Sequence, residues 1–214
     1  ISNDEEALSL LNNYVHPYNS FDNITFNFDN DTIEITFKHT YSDKEIQTLN
    51  KIVNKVIKDN IKDNMTSREK IKTIHDYIIN NTKYDVQRNE SNNSNYKSYK
   101  AYGPLMEGFA TCNGYTDLMA IYLTKLGFDN YKIATTPEEI SYSATGHIWN
   151  AVYFNNEWLH IDLTWDDPVS SDGKDYLFHT YFLVTTTALE EADTGTTVIE
   201  EHNFNKLYYL EFNN

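Results

Sequence analysis

The sequence predicts an α+β fold in which a helix that starts at Cys112 packs on an antiparallel β-sheet or partial barrel. Three observations point there. A helical apolar period runs from Tyr115 to Leu126, directly after the only cysteine, Cys112. Two arms rich in aromatic and β-branched residues, 146–154 and 157–165, meet at Asn155-Asn156. Capped apolar stripes upstream supply further helices.

In chain order, Glu5 to Tyr14 reads as a short helix, and Asn23 to Thr40 alternates around Asp29-Asn30-Asp31 as a hairpin does. Ser42-Asp43-Lys44-Glu45 is a capping box, continued by Ile46, Leu49, Ile52, Val53, Val56 and Ile57 as one buried stripe. Thr66-Ser67-Arg68-Glu69 opens a second helix with Ile71, Ile74 and Ile78. His75 faces near that stripe and reads as a hydrogen-bonded structural histidine. Gln87 to Lys100 is polar, rich in Asn and Ser and without period, which predicts a mobile loop beside the substrate cleft. Thr135 to Gly146 is a second rim loop. Tyr181 to Val184 and Leu207 to Phe212 read as strands, the latter closing the domain. The organisation is an N-terminal extension, residues 1–65, of helix, hairpin and helix packed on a core of residues 66–214.

The helix after Cys112 places Tyr115, Leu118, Met119, Tyr122, Leu123 and Leu126 on one face and ends at Gly127, a residue suited to the left-handed C′ position. Cys112 thus lies in a first turn, where free backbone N–H groups and the helix dipole favour an anion. A lone cysteine has no intrachain disulfide partner. Two readings remain at this point: a nucleophile whose thiolate and oxyanion share one helix start, or a small buried thiol.

Asn155-Asn156 tolerates the positive φ angles of a two-residue turn. With Phe154 and Glu157 flanking it, the register sets His147 opposite Thr164 and Trp149 opposite Asp162. His147 and Asp162 are then diagonal neighbours on one sheet face, about 7–8 Å apart in the backbone and within reach of each other's side chains. A carboxylate there would fix the imidazole tautomer and stabilise the imidazolium. A one-residue slip would separate them.

Composition narrows the partners. The formal net charge of −15 and pI near 4.7 argue against nucleic acid and anionic membranes. No apolar run has the roughly 20 residues of a membrane span. The first residue is Ile1, so any leader would lie outside this sequence. There is no phosphate-binding glycine loop and no dinucleotide fingerprint, so no cofactor is implied. His160, Asp162, Asp166, Asp167 and His179 could be read as metal ligands, but they lack a spaced ligand motif, and no metal is assigned. Asp166 to Asp175 lacks the full calcium-loop pattern and reads as a solvated turn. Trp149, Trp158 and Trp165 read as core, with Trp149 and Trp165 close enough to His147 and Asp162 to wall a cleft.

The segments GFATCNGYTDLMAIYLTKLGF, GHIWNAVYFNNEWLHIDLTWDDP and, upstream, IKTIHDYIINNTKYD resemble the core of bacterial transglutaminase-like proteins, a branch of the papain-related cysteine enzymes. The resemblance covers about Thr66 to Thr185 and implies a papain-like or transglutaminase-like core. It implies Cys112 as nucleophile, His147 as general base and acid, and Asp162 as its partner. Tyr102, in Ala101-Tyr102-Gly103-Pro104, resembles the residue that completes the oxyanion hole, and can equally be a packed loop residue. Leu163 stands where many relatives have proline. The implied activity is acyl transfer on a glutamine carboxamide or peptide bond through a thioester, with hydrolysis by water, as in a peptidase or amidase, or an inactive binding module as alternatives. The implied substrates are proteins or peptides, cell-wall material among them, and the implied location is extracellular or at the cell surface.

Overall fold

The computed structural model describes residues 4–91, 95–135, 146–170, 172, 174–194 and 202–212. The chain begins with α1 (Asp4–Tyr14), the hairpin β1 (Phe21–Asp29) and β2 (Thr32–His39), then α2 (Asp43–Asn60) and α3 (Ser67–Asn80). Both capping boxes form. Ser42 and Glu45 close on each other at the start of α2, and Thr66 and Glu69 do so at α3, each pair satisfying two otherwise unpaired N–H groups. β3 (Lys83–Tyr84) pairs in parallel with β4 (Phe109–Ala110), with α4 (Val86–Ser91) and a π-type turn (Gly103–Glu107) between them.

α5 (Cys112–Lys125) is the central helix. The expectation of one buried face is corrected here: Gly114 through Leu123 are all buried, because α3 packs on one side and the sheet on the other. Of its buried polar groups, Thr116 and Asp117 are satisfied, whereas the Tyr122 hydroxyl has no partner among the described residues. Thr116 Oγ1 donates to the Ile148 carbonyl at 3.0 Å. Asp117 receives Lys132 Nζ at 2.9 Å and the Tyr41 hydroxyl at 2.6 Å, and Tyr41 in turn accepts the Ala101 N–H at 2.7 Å. This network joins the end of β2 to α5.

Strands β5 (Asn130–Ala134), β6 (Ile148–Phe154), β7 (Glu157–Ile161) and β8 (Phe182–Val184) form an open antiparallel sheet in that order, not a barrel. Alternation splits β6 between two cores. Val152 and Phe154 face α5 and the residues of α2 and α3, while Trp149 and Ala151 face an aromatic cluster with Tyr131, Phe204 and Tyr209. Each fully buried Leu, Ile or Val contributes about 1.5–3 kcal/mol.

Asn155 and Asn156 take φ of 51° and 67°, and the ladder runs from Phe154 opposite Glu157 to Asn150 opposite Ile161. It stops there. Asp162 caps the short helix α6 (Leu163–Asp166), so Thr164 lies in a helix and not opposite His147. The chain continues into α7 (Thr186–Thr194).

Three further expectations are corrected, and a fourth lies outside the described residues. Leu207 to Phe212 forms turns and a 3-10 helix (Leu210–Phe212) that drive Tyr209 and Phe212 into the aromatic cluster. The segment read as a continuous loop from Gln87 carries α4. Asp166 and Asp167 are buried, not solvated, and bond to His75 and Tyr115 respectively. The rim loop before His147 falls at 136–145, outside the described residues.

The β1–β2 ribbon carries an apolar face made of the directly paired Ile24 and Phe37, Phe26 and Ile35, and Phe28 and Ile33. Phe26, Phe28, Ile33, Ile35 and Phe37 are all exposed.

Candidate active site

Thr111, in extended backbone, precedes α5, and the first intrahelical bond runs from Tyr115 N–H to its carbonyl at 3.1 Å. The N–H groups of Cys112, Asn113 and Gly114 therefore have no acceptor within the helix. Cys112 is a free, half-buried thiol at that end. The helix start is seated by backbone contact: Thr111 N–H donates to the Ser98 carbonyl at 2.9 Å. A Cβ placed on Gly114 would meet that same oxygen at 2.2 Å, so only glycine allows this approach.

His147 lies just before β6. Its N–H donates to Thr135 Oγ1 at 2.8 Å and its carbonyl accepts Thr135 N–H at 3.0 Å, which clamps its backbone. Its Nε2 stands 2.5 Å from Asp162 Oδ2. The Cys112 side chain also interacts with this ring electrostatically and favours its charged form. With Nε2 on the carboxylate, Nδ1 is the nitrogen left for sulfur. Burial opposes the charge on His147, yet Asp162 and Cys112 together hold it well above the ordinary histidine value.

Asp162 is anchored as a helix cap. Its Oδ1 accepts the N–H groups of Thr164 at 2.8 Å and Trp165 at 3.3 Å. Its Oδ2 accepts a second imidazole, His202 Nε2 at 2.8 Å, and His202 Nδ1 contacts Asp193 at 2.8 Å. Despite burial, His147 and His202 hold the Asp162 carboxyl well below the usual carboxylate range. Sequence reasoning missed His202. It lies 40 residues from Asp162 in a stretch without period, and only the nearby Phe204 hinted at burial.

Trp149 is fully buried and stacks on His147 with centroids 5.8 Å apart, so it backs the imidazole and does not wall an open cleft. Its indole N–H donates to His160 Nδ1 at 3.0 Å, and His160 Nε2 meets Thr186 Oγ1 at 3.0 Å. Burial pushes His160 down to about 3, so it stays neutral. Trp165 is half-buried and tilts onto Tyr181 and His202. Tyr102 packs against the main core with the Lys97 ammonium 4.6 Å above its ring, and its hydroxyl makes no hydrogen bond among the described residues.

Asn113 and Ile148, the residues after Cys112 and His147, line a cavity of about 360 Å³ together with Asn12 and Asn13 of α1.

The family model of the transglutaminase-like superfamily matches residues 54–163, about half of the chain. The chain belongs to that superfamily, which includes cysteine enzymes. A solved structure described as that of a TGase is similar at 18% identity and a TM-score of 0.48, covering 81% of this chain and 52% of that one. A structure from Cytophaga hutchinsonii, provisionally named a cysteine protease, is similar at 17% identity and a TM-score of 0.41, covering 58% of this chain and 43% of that one. The chain thus spans about half the length of the solved structures it matches. No curated protein matches it.

Proposed function

We propose that this chain is a cysteine-dependent acyltransferase acting on a glutamine carboxamide or peptide carbonyl through a thioester. The observation that carries the reading is His147 held 2.5 Å from Asp162 Oδ2 while the Cys112 side chain at the start of α5 favours its charged form. In the first step Cys112 Sγ attacks the carbonyl carbon, and the oxyanion forms beside the free N–H groups at the start of α5. His147, protonated on taking the thiol proton, passes that proton to the departing nitrogen, and ammonia or an amine leaves. In the second step His147 takes a proton from the incoming nucleophile, which displaces Cys112 and regenerates the thiol. A primary amine gives cross-linking and water gives hydrolysis; exclusion of water from the cleft decides between them. Asp162 holds the imidazole in the required orientation throughout.

Two measurements test this. Alkylation of Cys112 by iodoacetamide, followed by mass spectrometry across pH, should be fast in the wild type and at least about tenfold slower near neutral pH in His147→Ala. An inert thiol, indifferent to His147, would overturn the reading and favour a binding module. Incubation with a glutamine-containing protein and a labelled primary amine should then give amine incorporation lost in Cys112→Ala; deamidation or cleavage alone would assign water as the acceptor.

A further inference from the structure

We propose that His75, Asp76 and His179 form a zinc site that ties α3 to the segment ahead of β8. His75 Nδ1 lies 3.0 Å from Asp76 Oδ1, and His179 Nε2 lies 2.7 Å from the same oxygen. All three ligand atoms fall within 4.8 Å of one another. Tetrahedral zinc with bonds of about 2.1 Å needs neighbouring ligand atoms roughly 3.4 Å apart, so small side-chain shifts would admit the ion. Two imidazole nitrogens and one carboxylate oxygen are a zinc ligand set, with the fourth place left to water.

The surroundings match the ligand roles. The His75 side chain is fully buried, while those of Asp76 and His179 are 25% and 35% exposed, giving an ion a path from one side. His75 Nε2 is 3.1 Å from Asp166 Oδ2, and Asp166 Oδ1 accepts the Tyr181 N–H at 3.0 Å. An outer carboxylate that takes one ring N–H and leaves the other nitrogen's lone pair free is how metal-binding histidines are oriented. With the ring proton on Nε2, the Nδ1 lone pair faces Asp76 Oδ1, and a cation between them would take the place of a second ring proton. Lys72 engages the other Asp76 oxygen, so Oδ1 remains the ligand. Phe182 backs both rings, 5.0 Å from His75 and 5.7 Å from His179.

The test uses the Cys112→Ala protein, because a free thiol beside His147 would itself take zinc. Zn²⁺ is titrated calorimetrically and Co²⁺ by its visible absorption, with and without the added change His179→Gln. One equivalent should bind with a tetrahedral cobalt spectrum. His179→Gln should weaken it at least about a hundredfold, since loss of an outer-shell partner alone costs about 10- to 100-fold. Zinc should also raise the melting temperature of Cys112→Ala but not of the double variant. Equal affinity in the two proteins, or no tetrahedral cobalt signal, would overturn the site and leave His75 as a hydrogen-bonded bridge between Asp76 and Asp166.

Discussion

His202 Nε2 lies 2.8 Å from Asp162 Oδ2, the same oxygen that receives His147. One buried carboxylate thus serves two imidazoles. His202→Leu removes a hydrogen bond to a charged group, worth about 1.5–3 kcal/mol. Urea unfolding should show a loss of that size. His202→Gln, which can still donate, should recover part of it.

Asp162→Ala leaves the buried His147 without its counter-charge and His202 with Asp193 alone. The expected cost is about 3–5 kcal/mol, the range for breaking a buried ion pair by removing one partner. Asp162→Asn should fold better and yet lower any Cys112-dependent turnover on the order of 10²- to 10⁴-fold, the usual weight of positioned acid–base catalysis. Stability and kinetics measured on both variants separate the two roles.

The raised value of His147 has a defined sign. A histidine whose folded value exceeds about 6.5 contributes its full stabilisation below that pH and loses it as pH climbs through the folded value. The stability gap between wild type and His147→Gln should therefore be widest near about pH 6 and shrink on the alkaline side. Denaturant midpoints at both ends of that range measure it.

Asp167 works in the opposite sense. Burial pushes its carboxyl up to about 7, against the lowering effect of the Tyr115 hydroxyl, and Asp175 adds to the rise. Ionising it costs folding free energy, so its contribution is most favourable below about pH 4 and declines as pH rises to about 7. Asp167→Asn should flatten the pH dependence of stability across that window, an effect of roughly 1–4 kcal/mol read from denaturant midpoints at the two ends.

Gly114→Ala sets a methyl 2.2 Å from the Ser98 carbonyl. Overpacking of this kind costs about 1–3 kcal/mol and moves backbone. The variant should melt lower, and its Cys112 should alkylate more slowly than in the wild type, because the helix start shifts with it.

Local signals carried much of this fold. The capping boxes at Ser42 and Thr66, the paired asparagines at 155 and 156, and Gly127 with φ of 84° each have a short-range cause that one segment contains. The approach of His147 to Asp162 was legible through turn geometry, although the strands end before the predicted pair and the contact is made from a helix cap. Burial all round α5 was not legible, since Thr116 and Asp117 read as polar until Ile148, Lys132 and Tyr41 meet them from elsewhere in the chain. His202 depends on such distant partners entirely. Residues 207–212, rich in Tyr, Leu and Phe, read as a strand, but Tyr209 and Phe212 are drawn into a ready cluster instead.

The uncovered ribbon face gives the acidity of the chain a colloidal meaning. Phe28 and Ile33 stand 75% and 62% exposed, and in a neutral molecule such a surface would gather copies together. A net charge of −15 keeps them apart by mutual repulsion. That protection vanishes near the pI of about 4.7 and is screened by salt. Acidification or high ionic strength should thus turn a dispersed solution cloudy while the fold itself stays intact.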